Sequence, residues 1–220
     1  MNRLQAIQPR RVAQIPVSPF SRYLFSDPRM AWLWLIVRCY VGYQWLSAGW
    51  GKLTGHSLAP GSFGKPLPGG AWVFTGNSGV ALKGFIGNAL THASGPAASV
   101  QGWYADFLRY MVLPHVGVFT YVVTFGEVLV GLGLIFGAFT GIAAFFGMFM
   151  NLNYLLAGAI SINPILGLLA LLLLLAWRIS GYYGVDRYLL PFLGTPWTGS
   201  LTTVVLKETL RADSREPVAV

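Results

Sequence analysis

Charge is what this chain has least of. Asp, Glu, Lys and Arg make up 10% of its 220 residues, against about a quarter in ordinary soluble domains. The shortage is concentrated in long apolar runs, and mean hydropathy reaches +0.58. That pattern excludes a polar, disordered chain and points to an integral membrane protein. Cysteine is nearly absent as well. Cys39 stands alone, so no internal disulfide and no Cys-x-x-Cys redox pair can form. The three histidines, His56, His92 and His115, lie far apart and show no metal-ligand spacing. No metal or flavin motif is seen.

Acidic residues are the scarcer charged class, 7 against 15 Lys and Arg, for a net charge of +8. A basic chain suggests nucleic acid, but the positions of the bases argue otherwise. Arg3, Arg10, Arg11, Arg22 and Arg29 precede the first apolar run, and Arg178, Arg187, Lys207, Arg211 and Arg215 follow the last. Glu208, Asp213 and Glu216 interrupt the second group. Short basic arms without interleaved aromatics do not fit nucleic-acid binding. They fit the positive-inside pattern of an even number of spans with both termini cytoplasmic. A cleavable leader is not expected, because mostly polar sequence with Pro9, Pro16, Pro19 and Pro28 precedes the first apolar run.

The expected fold is all-α: an integral membrane four-helix bundle with an outer loop region containing short interfacial helices. A cytoplasmic arm occupies 1–28, and Asp27-Pro28 reads as a helix start, aspartate as cap and proline in the first turn. The four-span domain covers 29–195, with spans near 30–53, 115–137, 141–160 and 163–177. An extracytoplasmic insert, 54–114, carries two helical stretches, 72–93 and 100–112, expected to cover the outer mouth of the bundle. The first shows its stripe at Val80, Leu82, Phe85, Ile86 and Leu90. Residues 196–220 read as a cytoplasmic amphipathic segment and a flexible tail.

Within the apolar runs a few polar residues stand out. Glu127 lies inside 115–137, a run with no other charged residue at neutral pH, where an unpaired carboxylate costs several kcal/mol. At 1.5 Å per residue, Arg38, Glu127 and Asn151 reach depths of about 10, 14 and 15 Å from the cytoplasmic ends of their helices. Arg38 is therefore the expected partner of Glu127, with Asn151 bonding to either. Thr120, Thr124, Glu127 and Gly131 form one stripe, and Arg38, Gly42, Trp45 and Gly49 another. Small and polar stripes of this kind can line a slot for a flat amphipathic molecule, or they can serve an ion pair that only fixes helix register. Both readings stand on the residues alone. Asn153 points away from Asn151 and is suited to a helix–helix hydrogen bond.

The ordered set Arg38…Gly49-Trp-Gly-Lys-Leu53, Gly126-Glu127…Gly131, 134–141, 150–153, Asn163-Pro164 and 181–191 resembles the DoxX/DoxD family of bacterial membrane proteins over about residues 30–193. The resemblance implies a multi-pass protein of the bacterial inner membrane, akin to the large subunit of a thiosulfate:quinone oxidoreductase working with a small companion subunit. It implies a bound quinone as cofactor. Glu127 and Arg38 would be catalytic, Trp45, Thr124 and Asn151 would hold the quinone, and Lys52, Lys83 and Arg109 would attract an anionic substrate. The competing reading is a non-catalytic membrane scaffold or anchor for a soluble redox or oxidative-stress partner. A small-solute transporter ranks third, since no inverted repeat or broken-helix pair is evident. Membrane lipid and quinone are the expected partners in the first case, a soluble redox protein in the second, and a homodimer is compatible with each.

Overall fold

The computed structural model describes residues 18–76, 78–95 and 98–194. Most of the N-terminal arm, and the amphipathic segment and tail expected over 196–220, lie outside the described residues. Helix α1, Pro19–Ser26, leads to Asp27, whose Oδ1 accepts from the Arg29 N–H at 2.9 Å. Pro28 opens a short 3-10 turn, Pro28–Met30, and α2 follows at once as Ala31–Thr54. The helix start expected at Asp27-Pro28 is thus present. Helix α2 stops at Gly55, which adopts φ +76° and returns its N–H to Gly51 O. After an irregular stretch come α3, Val80–Thr91, and α4, Gly102–Phe107. A π turn at Leu108–Val112 and a 3-10 turn at Leu113–His115 carry the chain past Pro114 into α5, Val116–Phe136. The remaining helices are α6 (Thr140–Leu156), α7 (Asn163–Leu175), α8 (Trp177–Ser180) and α9 (Asp186–Phe192).

The all-α class holds; the four-span membrane bundle does not. Among the described residues, one helix is long and apolar enough to cross a membrane: the continuous 35-residue stretch Gly102–Phe136. Spanning takes about 20 apolar residues, and the helices expected to be spans three and four have 17 and 13. Helix α2 has 24 residues, but Arg38, Gln44 and Lys52 with its glycines and tyrosines dilute its apolar character. Apolar runs counted along the sequence ignored where the helices end: α6 stops at Leu156, with Gly158 at φ +80° and Ser161 at φ +31° in the link to α7. A multi-pass inner-membrane topology is therefore not supported.

The main core gathers Trp34, Val41 and Trp45 of α2, Val130 and Leu134 of α5, Ala144 of α6 and Leu173 of α7. Glycines let α2 and α5 meet backbone to backbone. A Cβ at Gly131 would lie 2.5 Å from the Leu46 nitrogen, and one at Gly49 would lie 2.7 Å from the Val128 nitrogen. A second, smaller core joins Leu82, Ile86 and Ala89 of α3 to Val100, Tyr104, Leu108, Val112 and Ala157. The helical stripe expected on 72–93 is partly realised: Leu82 and Ile86 are buried, while Val80 is 64% exposed. Tyr104 donates to the carbonyl and the side-chain oxygen of Asn153, at 3.0 and 3.1 Å. Asn153 is thus the interhelical hydrogen-bonding residue expected of it.

Candidate functional site: a buried Lys52–Glu127–Tyr154 cluster

Glu127 is 1% exposed and entirely engaged. Lys52 Nζ reaches its two oxygens at 2.8 and 2.6 Å, and the Tyr154 hydroxyl donates to Oε1 at 2.6 Å. The three residues come from α2, α5 and α6, so the cluster ties three helices at one level. Lys52, 18% exposed, is clamped from its other side, with Nζ 5.0 Å from the centre of the Trp72 ring. The Trp72 N–H in turn donates to the Lys52 carbonyl at 2.7 Å. Trp45 stacks on Tyr154 with ring centres 6.2 Å apart. Burial first, and then the charge and hydrogen bond of Glu127, hold the Tyr154 phenol well above its ordinary value of 10. The phenol therefore stays a neutral donor to the carboxylate.

The expected Arg38–Glu127 pair does not form. Arg38 lies at the far end of α5 from Glu127, about ten residues or 15 Å along the helix. Its Nη2 donates to the Tyr183 carbonyl at 3.1 Å, and its guanidinium packs against Gly137 and Gly184. Burial lowers its pKa, while Cys39 and Asp186 nearby favour its charge. Depth counting failed because it assumed level helix ends and left out the reach of a long side chain. Lys52, expected to attract an anionic substrate, stands in the last turn of α2. Its four-carbon stem instead lets the ammonium reach inward along apolar surface.

The other expected site residues disperse. Trp45 borders the chamber beside the cluster, a cavity of about 490 Å³ also bounded by Gln44, Ser47, Trp72 and Asn163. Thr124 is buried but does not border it, and its hydroxyl has no hydrogen-bond partner. Asn151 is committed to α7: with its amide turned to satisfy both ends, it donates to Asn163 Oδ1 and O at 3.1 and 3.0 Å and accepts from the Gly167 N–H at 3.2 Å. Lys83 is exposed, and Arg109 pairs with Asp106 on the surface at 3.4 Å. Of the three expected anion-attracting bases, the cluster holds Lys52 alone.

Two contributors went unread in the sequence. Tyr154 follows directly on the Asn-Leu-Asn stretch, and its spacing from Asn151 and Ala144 places it near the buried face of α6. Asp186 stands beside Arg187 beyond the last apolar run, where nothing in the sequence marks it as buried. It is instead 1% exposed and accepts from the Phe139 and Thr140 N–H groups at 2.6 and 2.8 Å, closing the first turn of α6.

The chain matches no protein-family model, no curated protein and no solved structure. The resemblance to the DoxX/DoxD family is therefore not upheld. With it go the reading as a thiosulfate:quinone oxidoreductase subunit, and the thiosulfate and inner-membrane assignments that rested on it. The residue pattern was a set of small glycine- and asparagine-containing fragments, and such fragments also arise wherever apolar helices pack closely.

Proposed function

We propose that the chain is a non-catalytic helical scaffold, an anchor whose exposed apolar helix faces rest against lipid. The observation that carries this reading is the full engagement of Glu127. An acid whose oxygens are taken by an ammonium and a phenol, one from each neighbouring helix, fixes helix register without needing a substrate. Lipid is supported as the partner by the outward face of α5 and α6. Val118, Val122, Leu129, Phe146 and Phe149 are all more than half exposed, more apolar surface than a freely dissolved monomer ordinarily leaves open. As a bound molecule only, a quinone is compatible with this reading, since its head is uncharged. A soluble redox partner would have the basic residues near α1 and α8 (Arg22, Arg29, Arg178) to meet.

Flotation of the purified full chain with phosphatidylcholine vesicles tests the proposal. The wild type and Glu127→Gln are expected to float together. Paired Val122→Lys and Leu129→Lys changes should release the chain, because each lysine placed against hydrocarbon costs about 3 kcal/mol. A wild-type chain that stays monodisperse in buffer and ignores vesicles would overturn it.

A further inference from the structure

The chamber beside Glu127 adjoins a second cavity of a different character. That one is a groove of about 820 Å³ along α5 and α6, walled almost wholly by apolar side chains such as Phe119, Val122, Phe146 and Phe149. Leu82, Phe85, Val123 and Tyr154 border both spaces, so one layer of side chains divides them. Phe85 belongs to that layer and lies edge-on to Tyr154 with ring centres 6.3 Å apart. A chamber that holds several polar groups and shares a wall with an apolar groove has the form of a head-and-tail site, and both volumes fall in the range of small-molecule pockets, roughly 300–1,000 Å³.

The chamber's charge decides the head. Lys52 and Glu127 are the only charged residues among those bordering it, and they neutralise one another. A head bearing a net charge would find no counter-ion left among the residues that border the chamber. An uncharged head with oxygen acceptors suits what remains. The ammonium has three N–H donors and gives two of them to Glu127, while Gln44 and Ser47 each offer both a donor and an acceptor. We infer that the chamber and groove together bind a neutral single-chain lipid with a hydroxyl or ester head, of the monoacylglycerol type. The head sits by Lys52, Gln44 and Ser47, and the chain passes Phe85 into the groove.

The experiment is native mass spectrometry of the full chain released from detergent, offered glycerol monooleate, oleate and lysophosphatidylcholine at equal concentration. Glycerol monooleate should be retained at least about tenfold more than oleate, whose head is a net anion, a preference of about 1.4 kcal/mol, and more than lysophosphatidylcholine, whose zwitterionic head brings a phosphate and a quaternary ammonium that the chamber cannot both pair. Two substitutions on exposed rims locate the site without disturbing the core. Ala48→Trp fills the head chamber and Val122→Trp the tail groove, and each should cut glycerol monooleate retention about tenfold with the melting temperature unchanged. Equal or greater retention of oleate overturns the neutral-head assignment. Undiminished retention in both tryptophan variants, or no retention by the wild type, overturns the site itself. A failed vesicle flotation leaves these outcomes untouched, so this inference and the anchoring proposal can fail separately.

Discussion

At the scale of single residues, the Lys52–Glu127–Tyr154 cluster sets the sharpest expectations. Lys52→Met strands a carboxylate that is 1% exposed and should cost about 3–5 kcal/mol in denaturant unfolding. The double variant Lys52→Met, Glu127→Leu removes both charges and should recover most of that loss. A double variant no more stable than the single one would mean the pair contributes more than its mutual compensation. Tyr154 gives a pH signature. Its folded-state pKa is raised above its ordinary value of 10, so the stabilisation tied to its proton is whole below that pH and is lost as pH climbs past it. Thermal melts between pH 8 and 11 should show a steeper alkaline decline for wild type than for Tyr154→Phe. Glu127 was legible from sequence because a carboxylate in an apolar run is rare. Its partner was not, because a lysine stem covers a distance that depth counting does not include.

Among elements, the turn from α5 to α6 shows how charge and glycine divide the work. Arg38 sits at the C-terminal end of α5, where carbonyls point outward and a cation is favoured. Asp186 sits at the N-terminal end of α6 and takes two of its orphan N–H groups. Gly137, at φ +65°, and Gly184 make room: a Cβ on Gly137 would fall on the guanidinium, and one on Gly184 would come within 2.5 Å of Nη1. Asp186→Ala should therefore cost about 1–2 kcal/mol, as loss of a helix cap does. Gly184→Ala should cost more than a surface Gly→Ala such as Gly84→Ala, where a Cβ meets nothing within 4 Å. Equal midpoints for the two glycine variants would show that the guanidinium yields freely. The small-residue stripes were readable in the sequence: Thr120, Thr124, Glu127 and Gly131 are all buried. Their purpose was not. A stripe of small residues permits close backbone approach as readily as it lines a slot, and here Gly131 against Leu46 shows close approach. Helix ends were the least readable feature, since glycines at positive φ also occur inside apolar runs that composition treats as continuous.

Across the whole molecule, two cores of unequal size meet along α5 and α6. The larger binds α2, α5, α6 and α7 through interlocked rings and aliphatic side chains. The smaller packs α3 and α4 against the start of α5 and the end of α6, with the Tyr104–Asn153 hydrogen bonds among its polar links. Composition revealed that the chain is helical and apolar, but not that its apolar residues divide in this way, because both cores draw on the same residue types. Local stability follows buried apolar contact, so α3 amides should exchange with deuterium well before those in the middle of α2 and α5. Tyr104→Phe removes the two bonds to Asn153 and keeps the ring. It should speed exchange in α3 and α4 while leaving Val41 and Leu134 protected as in the wild type. Uniform acceleration across all helices would instead mean that the two cores open as one unit.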